Sequence, residues 1–299
     1  MPGFLCINKK GTGAMSEYIK GILLTSAGVL ILSVDGLLIR LISADAFDLL
    51  FWRGLLMSIT VALVLMLQKS TGSWLPTDAA SLRSSFLMVI TTITFVMAIN
   101  LSSVANVLVI ISSQPLFAAV LGWFFLREMP QPITWVAIFL SIIGIGWVLL
   151  DSWSEPNFIG DLLALVCCLC LALKFVNDRA VSHTDMTPAL ILAGLVVALI
   201  SVFAGNPMAL SGNGWWYMVV LCLLVNPLAF CLITIGPMRI PAAEVGMLML
   251  LETAVGPLWV WLVLSEEPGS AALQGGTLVI GTLLLHSLYQ WRRNRLKLS

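Results

Sequence analysis

The sequence predicts an all-α integral membrane protein in which ten transmembrane helices form two inverted five-helix repeats. Hydrophobic residues make up 60% of the 299-residue chain, and charged residues only 10%. A soluble fold has too little interior to bury so much apolar surface, so the helices are expected to face lipid. The apolar runs give the number of helices, and a weak internal repeat gives their arrangement.

Apolar runs of about 20 residues, long enough to cross the hydrocarbon core, set the helix count. Prolines, glycines and charged residues separate them, as at Pro130 and Pro237. The first run contains Asp35 and is too long for a signal-peptide core, so it is expected to be retained as a helix. The expected spans are 20–41, 48–68, 81–100, 104–126, 131–150, 159–179, 187–204, 214–235, 241–264 and 271–291.

Two sequence echoes divide these spans into halves. A weaker echo, at a shift of 139 positions, relates Gly21 to Gly160 and Arg40 to Arg179. Five helices per half is an odd number, so the second half enters the membrane from the opposite side, the arrangement of inverted-repeat transporters. The stronger echo, at a shift of 138 positions, relates Ala105, Val107, Trp123, Leu126 and Glu128 to Ala243, Val245, Trp261, Leu264 and Glu266.

The expected organisation is a cytoplasmic tail at 1–19, a first repeat at 20–151, a second repeat at 159–291 and a basic cytoplasmic tail at 292–299. The first tail is polar and expected to be disordered, and Met15 is an alternative natural start. If the N-terminus is cytoplasmic, 13 of the 15 Lys and Arg residues lie on the inner side. The positive-inside rule then predicts that both termini are in the cytoplasm.

Composition excludes several kinds of site. Formal net charge is zero, which gives no indication of nucleic acid binding. Cys167, Cys168 and Cys170 are close in sequence, but consecutive helical residues point in different directions and no histidine is nearby. We therefore expect small packing residues, with no metal site, no cofactor and no disulfide framework. The sequence also lacks a phosphate-binding loop of the G-x-x-x-x-G-K-[ST] type.

Three motifs carry a family resemblance over residues 20–291. They are Phe51-Trp52-Arg53; Ala105-Asn106 through Gln114-Pro115 to Leu126-Arg127-Glu128; and Ala243-Glu244 through Leu251-Glu252 to Leu264-Ser265-Glu266. With these motifs the chain resembles the drug/metabolite transporter superfamily, specifically its EamA-like type. Thr253 stands where that family usually has proline, and Pro257 follows a turn later.

The resemblance implies an inner-membrane carrier, often an exporter of amino acids or related metabolites. It also implies a central cavity lined by helices one to four and six to nine, with helices five and ten outside that core.

Ionisable residues inside the spans are costly and are therefore candidates for function. Asp35 and Arg53 lie at a similar depth in the outer half, so we expect an ion pair. Its role is either an outer gate or clamp for a substrate carboxylate, or the fixing of helix packing. Trp52, beside Arg53, is either an aromatic wall of the site or an interfacial residue without a function in transport.

Polar residues at equivalent repeat positions form the rest of the candidate site. Glu252 lies near the midplane with Gln114 as its repeat mate, and it is expected to carry a proton, to bind a substrate amine or to be protonated and hydrogen-bonded. Lys174 mirrors Asp35, and it either reaches Glu252 or Glu244 or extends to the cytoplasmic surface.

Two further positions complete the candidate site. Asn106 and Glu244 are repeat mates near opposite helix ends. Asn226 precedes Pro227 where helix eight is expected to break and to expose carbonyl groups to the cavity.

The expected function is a secondary transporter that moves a small polar metabolite, an amino acid or related zwitterion, outward by alternating access. An exporter of drugs or other organic metabolites is the alternative. A membrane enzyme is disfavoured because His183 and His286, the two histidines, are far apart in sequence and depth. A non-transporting membrane protein would not need charges inside its spans. The expected partners are a small-molecule substrate, lipid and protons, in a monomer or a homodimer.

Overall fold

The computed structural model describes residues 11–67, 75–76, 78–127, 129–153, 155–181, 187–206, 212–235 and 242–296. Within these residues the chain forms helices and no strand. Seven helices are long and apolar enough to cross a membrane, and three shorter apolar helices supply the remaining predicted spans. The seven are Tyr18–Ile42, Ala46–Leu63, Ala79–Leu101, Val104–Leu126, Pro132–Asp151, Phe158–Ala180 and Ser270–Tyr289; the three are Pro188–Ala204, Gly214–Ala229 and Leu248–Leu264.

Within the described residues, three of the ten spans are built from more than one helical segment. The first repeat contains α1 Gly11–Leu32, α2 Asp35–Ile42, α3 Ala46–Leu67, α4 Ala79–Leu101, α5 Val104–Ser112, α6 Gln114–Leu126 and α7 Pro132–Asp151. The second contains α8 Phe158–Ala180, α9 Thr187–Ala204, α10 Gly214–Val219, a π-helical segment Val220–Val225, α11 Asn226–Ile235, α12 Ala242–Leu264 and α13 Ser270–Leu296.

Both ends of the chain are more helical than the sequence predicts. Helix α1 begins at Gly11, within the expected disordered tail, and α13 continues through the basic residues to Leu296. No proline lies in either stretch, and Ala, Leu and Arg are good helix formers, so the membrane helices extend past the apolar core.

The break in span four follows from proline chemistry. Pro115 has no N–H group, so the carbonyl of Ile111 loses its helical partner. The Ser113 hydroxyl donates to the Ile110 carbonyl at 2.6 Å, and the Cys168 thiol lies 3.9 Å from the Ile111 carbonyl oxygen. Helix α5 therefore ends at Ser112 and α6 begins at Gln114. The carbonyl groups of Ile110 and Ile111 at the break are contacted by these two side chains.

Spans one and eight break for different local reasons. In span one the Ser33 hydroxyl donates to the Leu30 carbonyl at 2.7 Å, and the backbone tightens before α2 begins at Asp35. In span eight Pro227 follows the wider turn of Val220–Val225. A π-helical turn of this kind is often found at functional sites. The expected interruption before Pro227 is therefore present.

The packing of the helices has the symmetry expected of a two-fold axis between the repeats. Helix α1 packs on α11 and α12, and its counterpart α8 packs on α4, α5 and α6. Helix α3 packs on α9, and α7 packs on α13. When the repeats are exchanged, the contacts of α1 become those of α8. The α3–α9 and α7–α13 contacts map onto themselves. This symmetry confirms the predicted inverted repeat.

Glycines allow the closest of these approaches. A Cβ atom on Gly54 of α3 would lie 2.5 Å from the carbonyl oxygen of Gly194 on α9. Gly144 and Gly275 bring α7 and α13 together in the same way, and Gly276 packs on Val109. These three glycines therefore serve helix contacts within the chain.

We predict that Gly54→Ala lowers the thermal stability of the detergent-solubilised protein. Overpacking at such a contact typically costs about 1–3 kcal/mol. The matched control is Gly146→Ala, where an added Cβ meets nothing within 4 Å. Since alanine favours a helix over glycine, the control should melt at the same or a higher temperature. Equal melting temperatures for the two variants would contradict the α3–α9 contact.

Candidate functional site

The centre of the candidate site is an ion pair between spans one and two. Arg53 donates from Nη1 to Oδ1 of Asp35 at 2.8 Å and from Nη2 to Oδ2 at 3.2 Å. The side chains are only 13% and 5% exposed. The pair has the two-pronged geometry that makes arginine–carboxylate contacts strong, and it joins the two residues that sequence depth predicts to meet.

The break in span one positions the acid of this pair. Asp35 is the first residue of α2, where the positive end of the helix dipole favours a carboxylate. Gly36 follows it, and a Cβ there would lie 2.9 Å from a methyl group of Val104 on α5. The half-helix therefore packs directly on span four, and this contact fixes the depth at which Asp35 meets Arg53.

Four further helical segments surround Arg53. Its guanidinium carbon lies 5.7 Å from the centre of the Phe95 ring on α4, within the range of a cation–π contact. Its charge also reaches the thiols of Cys222, in the π-helical segment, and Cys167, on α8. Glu252 on α12 is in electrostatic range of both Asp35 and Arg53. Spans one, two, three, six, eight and nine thus converge on one buried charge pair.

Glu252 has a free carboxylate within this cluster. It lies in the middle of α12 and retains some accessible surface. Across the described part of the chain it forms neither a hydrogen bond nor an ion pair. Trp259 lies two turns further along α12 and donates from Nε1 to the Ser33 hydroxyl at 3.0 Å, which holds α12 against the break in span one.

Donors and acceptors remain unused on both sides of the cluster. Arginine has five N–H donors, and Arg53 uses two of them on Asp35. The other three have no acceptor among the residues that the structure describes. Asn226 begins α11, and its buried Oδ1 atom has no partner in the same residues. Buried polar atoms are rarely left unsatisfied, so this pattern is typical of a binding site.

Gln114 lies at the break in span four. It is the first residue of α6, immediately after Ser113, whose hydroxyl lies 3.6 Å from the Cys168 thiol on α8. Cys168 is adjacent in sequence to Cys167, whose thiol is in electrostatic range of Arg53. Gln114 is partly exposed and makes no hydrogen bond within the described residues.

Lys174 lies apart from the central cluster. Its Nζ atom pairs with Oδ2 of Asp178 at 2.6 Å, one helical turn further along α8. Asn177 next to this pair donates to the Ala80 carbonyl at 2.9 Å. Of the two alternatives for Lys174, extension toward the helix end agrees with this geometry, and contact with Glu252 does not.

Asn106 belongs to a second polar cluster at one end of the bundle. This end, where α2, α4 and α12 finish, is called the far face. Asn106 donates to Oδ2 of Asp161 at 3.1 Å, and the Ser102 hydroxyl makes a short hydrogen bond to Oδ1. Asp161 is fully buried. The backbone of Glu244, the repeat mate of Asn106, lies in α12, but its side chain is outside the described residues.

Trp52 packs within the protein as well as beside Arg53. Its ring makes edge-to-face contacts with Phe51 at 5.1 Å and with Trp215 of α10 at 5.0 Å between ring centres. The rings of Phe51, Trp52 and Trp215 thus form an aromatic group between the central ion pair and the far face. Among the described cysteines, Cys167 donates to the Thr91 carbonyl on α4 while Cys168 faces α5, so their thiols diverge.

Sequence reasoning did not assign a role to Arg40, Glu266, Asp161 or Phe95. Arg40 pairs with Glu266 at 3.3 Å across the far face. A signal for that pair exists in the sequence, because Arg40 and Arg179 match between the repeats and so do Glu128 and Glu266. Phe95 has no comparable signal, since one phenylalanine among apolar residues does not stand out.

Comparisons with known proteins agree on the fold. The EamA-like transporter family matches residues 19–150 and, a second time, residues 158–288. Among solved structures 24 chains match. One of them, described only as "Crystal structure of protein", has a TM-score of 0.67 at 16% identity, over 90% of this chain and 98% of its own. No curated protein matches.

We predict that Asp35→Asn strongly destabilises the protein, because it leaves the Arg53 cation buried without its acid. Breaking one side of a buried pair typically costs about 3–5 kcal/mol. The double variant Asp35→Asn/Arg53→Gln should recover part of the loss, as measured by thermal unfolding in detergent. The control is Asp45→Asn, at an exposed position. A double variant no more stable than the single one would contradict the pair.

Proposed function

Because this chain belongs to the EamA-like transporter family, within the drug/metabolite transporter superfamily, we propose that it is a secondary carrier of a small zwitterionic metabolite. An amino acid or a close relative, moved outward across the cell inner membrane, is the substrate class that the residues favour. The observation that carries this proposal is that Glu252, without a partner among the described residues, lies in electrostatic range of an Arg53 that still has unused donors.

The two groups offer complementary contacts to a zwitterion. The planar fork of Arg53 suits a substrate carboxylate, and three of its N–H groups remain for that contact. Glu252 offers an acceptor of opposite charge within electrostatic range of Arg53. When Glu252 is ionised, the charges of Asp35, Arg53 and Glu252 sum to one negative charge, which favours a substrate that brings an ammonium group or a proton. Gln114 and Asn226 supply neutral hydrogen-bonding groups near the breaks of spans four and eight.

Alternating access follows from the paired repeats. Each repeat supplies half of the helices around the central ion pair, so rocking one half against the other exposes the same residues to opposite faces. No nucleotide-binding motif occurs in the sequence, so the energy is expected to come from a substrate or ion gradient. Glu252 is the candidate proton carrier, and the orientation follows from the Lys and Arg distribution, with both termini in the cytoplasm.

An exporter of flat organic compounds is the second candidate. The aromatic rings of Phe51, Trp52 and Trp215 contact one another at the far-face side of Arg53. Aromatic side chains of this kind stack on planar or cationic ligands. That observation favours drug-like substrates if amino acids are not transported.

We predict that the purified protein in liposomes takes up radiolabelled amino acids, that a pH gradient accelerates the uptake, and that Glu252→Gln removes the acceleration. The physical reason is that glutamine cannot exchange a proton and carries no charge for a substrate ammonium. The measurement is initial uptake of a pooled amino-acid set with and without the gradient.

The control is Glu155→Gln, which makes the same chemical change at an exposed residue outside the spans. Uptake that does not depend on the gradient would agree with the proposed carrier function, but it would contradict the role of Glu252 as the proton carrier. Absence of uptake for every amino acid would overturn the substrate class and direct the assay to planar organic compounds.

A further inference from the structure

The break in span one leaves a backbone carbonyl group without a donor. Helix α1 ends at Leu32 and α2 begins at Asp35, so Ser33 belongs to neither helix. Its carbonyl oxygen accepts no hydrogen bond from another residue that the structure describes. Inside a membrane protein, irregular backbone is tolerated where it is covered by protein or lines a cavity. The segments that face this break therefore determine what it can bind.

Asn226 of span eight lies at the level of this break. A Cβ atom on Gly28 would lie 3.1 Å from the carbonyl oxygen of Ala229. The Cys222 thiol is in electrostatic range of Asp35. Spans one and eight therefore run antiparallel. Asn226 lies between Cys222 and Ala229 and about one helical turn from each, so the three share one face of span eight. That face meets span one between Gly28 and Asp35, where the break is.

Glu252 of span nine faces the same break. Trp259 donates from Nε1 to the Ser33 hydroxyl at 3.0 Å. A Cβ atom on Gly256 would lie 3.5 Å from the Ser33 carbonyl oxygen. Glu252 lies four residues before Gly256 and seven before Trp259, so the three share one face of α12. The carboxylate is also in electrostatic range of Asp35, which begins the helix after the break.

The oxygen atoms that converge on the break have no donor among the residues that the structure describes. The Oδ1 atom of Asn226 is buried and unpartnered, and the residue is only 9% exposed. Glu252 forms neither a hydrogen bond nor an ion pair. With the Ser33 carbonyl they make three acceptors and one negative charge. Buried acceptors are rarely left unsatisfied, so a group with several N–H donors and a positive charge fits this place.

We propose that the break in span one holds the ammonium group of the substrate, with Asn226 and Glu252 as its side-chain ligands. The three N–H donors of a primary ammonium match the Asn226 amide oxygen, the Glu252 carboxylate and the Ser33 carbonyl. A quaternary ammonium has the charge but no N–H, so it leaves buried acceptors unsatisfied. The subsite therefore selects primary amines. This inference rests on the proposed carrier function and assigns the amine end of its substrate.

The subsite is tested by amine binding, which needs no transport. The probes are butylammonium and butyltrimethylammonium chloride, which share a tail and a charge but differ in their N–H donors. Dissociation constants come from the rise in melting temperature of the detergent-solubilised protein with probe concentration. We expect Asn226→Leu to weaken butylammonium binding about tenfold, because a hydrogen bond to a charged donor is lost. The weaker binding of butyltrimethylammonium should not change.

Two further variants separate the hydrogen bond from the charge. Asn226→Asp keeps an acceptor at the same position, so it should bind butylammonium at least as tightly as the unchanged protein. Glu252→Gln removes the negative charge and should weaken the binding of both amines.

Thermal stability without any amine distinguishes a ligand-binding amide from a structural one. Asn226→Leu should melt at the same or a higher temperature than the unchanged protein, because leucine has a similar volume and removes an unsatisfied acceptor. The matched control is Asn177→Leu, which should melt at a lower temperature, because Nδ2 of Asn177 donates to the Ala80 carbonyl at 2.9 Å. An equal loss of stability in the two variants would overturn the subsite, since Asn226 would then have a partner within the protein.

Equal effects of Asn226→Leu on the two amines would also overturn the subsite, as would the absence of butylammonium binding to the unchanged protein. If either result is found in a protein that takes up amino acids, the carrier function stands and the subsite alone fails. If butylammonium binding depends on Asn226 in a protein that takes up no amino acid, the subsite stands and the proposed amino-acid substrate fails.

Discussion

Arg53 can keep its charge in the middle of the bundle because both of its terminal nitrogen atoms reach the carboxylate of Asp35. Moving each charge out of water costs on the order of several kcal/mol, and the attraction between the two charges returns a similar amount. A protein with well-packed apolar residues at these positions would often be at least as stable. A pair retained under that penalty needs another reason, and binding of a charged solute is one. The break before α2, the Phe95 ring and the thiols of Cys167 and Cys222 all lie around this pair.

The two repeats surround the central pair with related helix contacts. The partners of α1 correspond to those of α8 when the halves are exchanged. Two ion pairs differ in burial: the Asp35–Arg53 pair is buried and doubly bonded, and the Arg40–Glu266 pair is partly exposed and joined by one contact. Interrupted helices place Asp35, Gln114 and Asn226 at the first residues of half-helices, where the backbone is not fully used by the helix itself.

Composition and periodicity predict the membrane class, the helix count and the inverted repeat, because each depends on apolar run length or on sequence spacing. The Asp35–Arg53 pair is also predictable, since residues of opposite charge at one depth in adjacent helices are expected to meet. Lys174 is different: its partner Asp178 lies one turn away on the same helix, and a local pair forms at lower entropic cost than a distant one. The bond between Asn106 and Asp161 depends on how α8 packs against α5, which no local pattern encodes.

Exchanging the charges of the central pair separates its structural role from its functional one. In the variant Asp35→Arg/Arg53→Asp the two side chains can again pair, while an acid stands where a substrate carboxylate would bind. We predict a melting temperature close to that of the unchanged protein, together with loss of amino-acid uptake in liposomes. Uptake near the normal rate from the stable, charge-exchanged protein would contradict the account, because the pair would then serve only to hold the helices together.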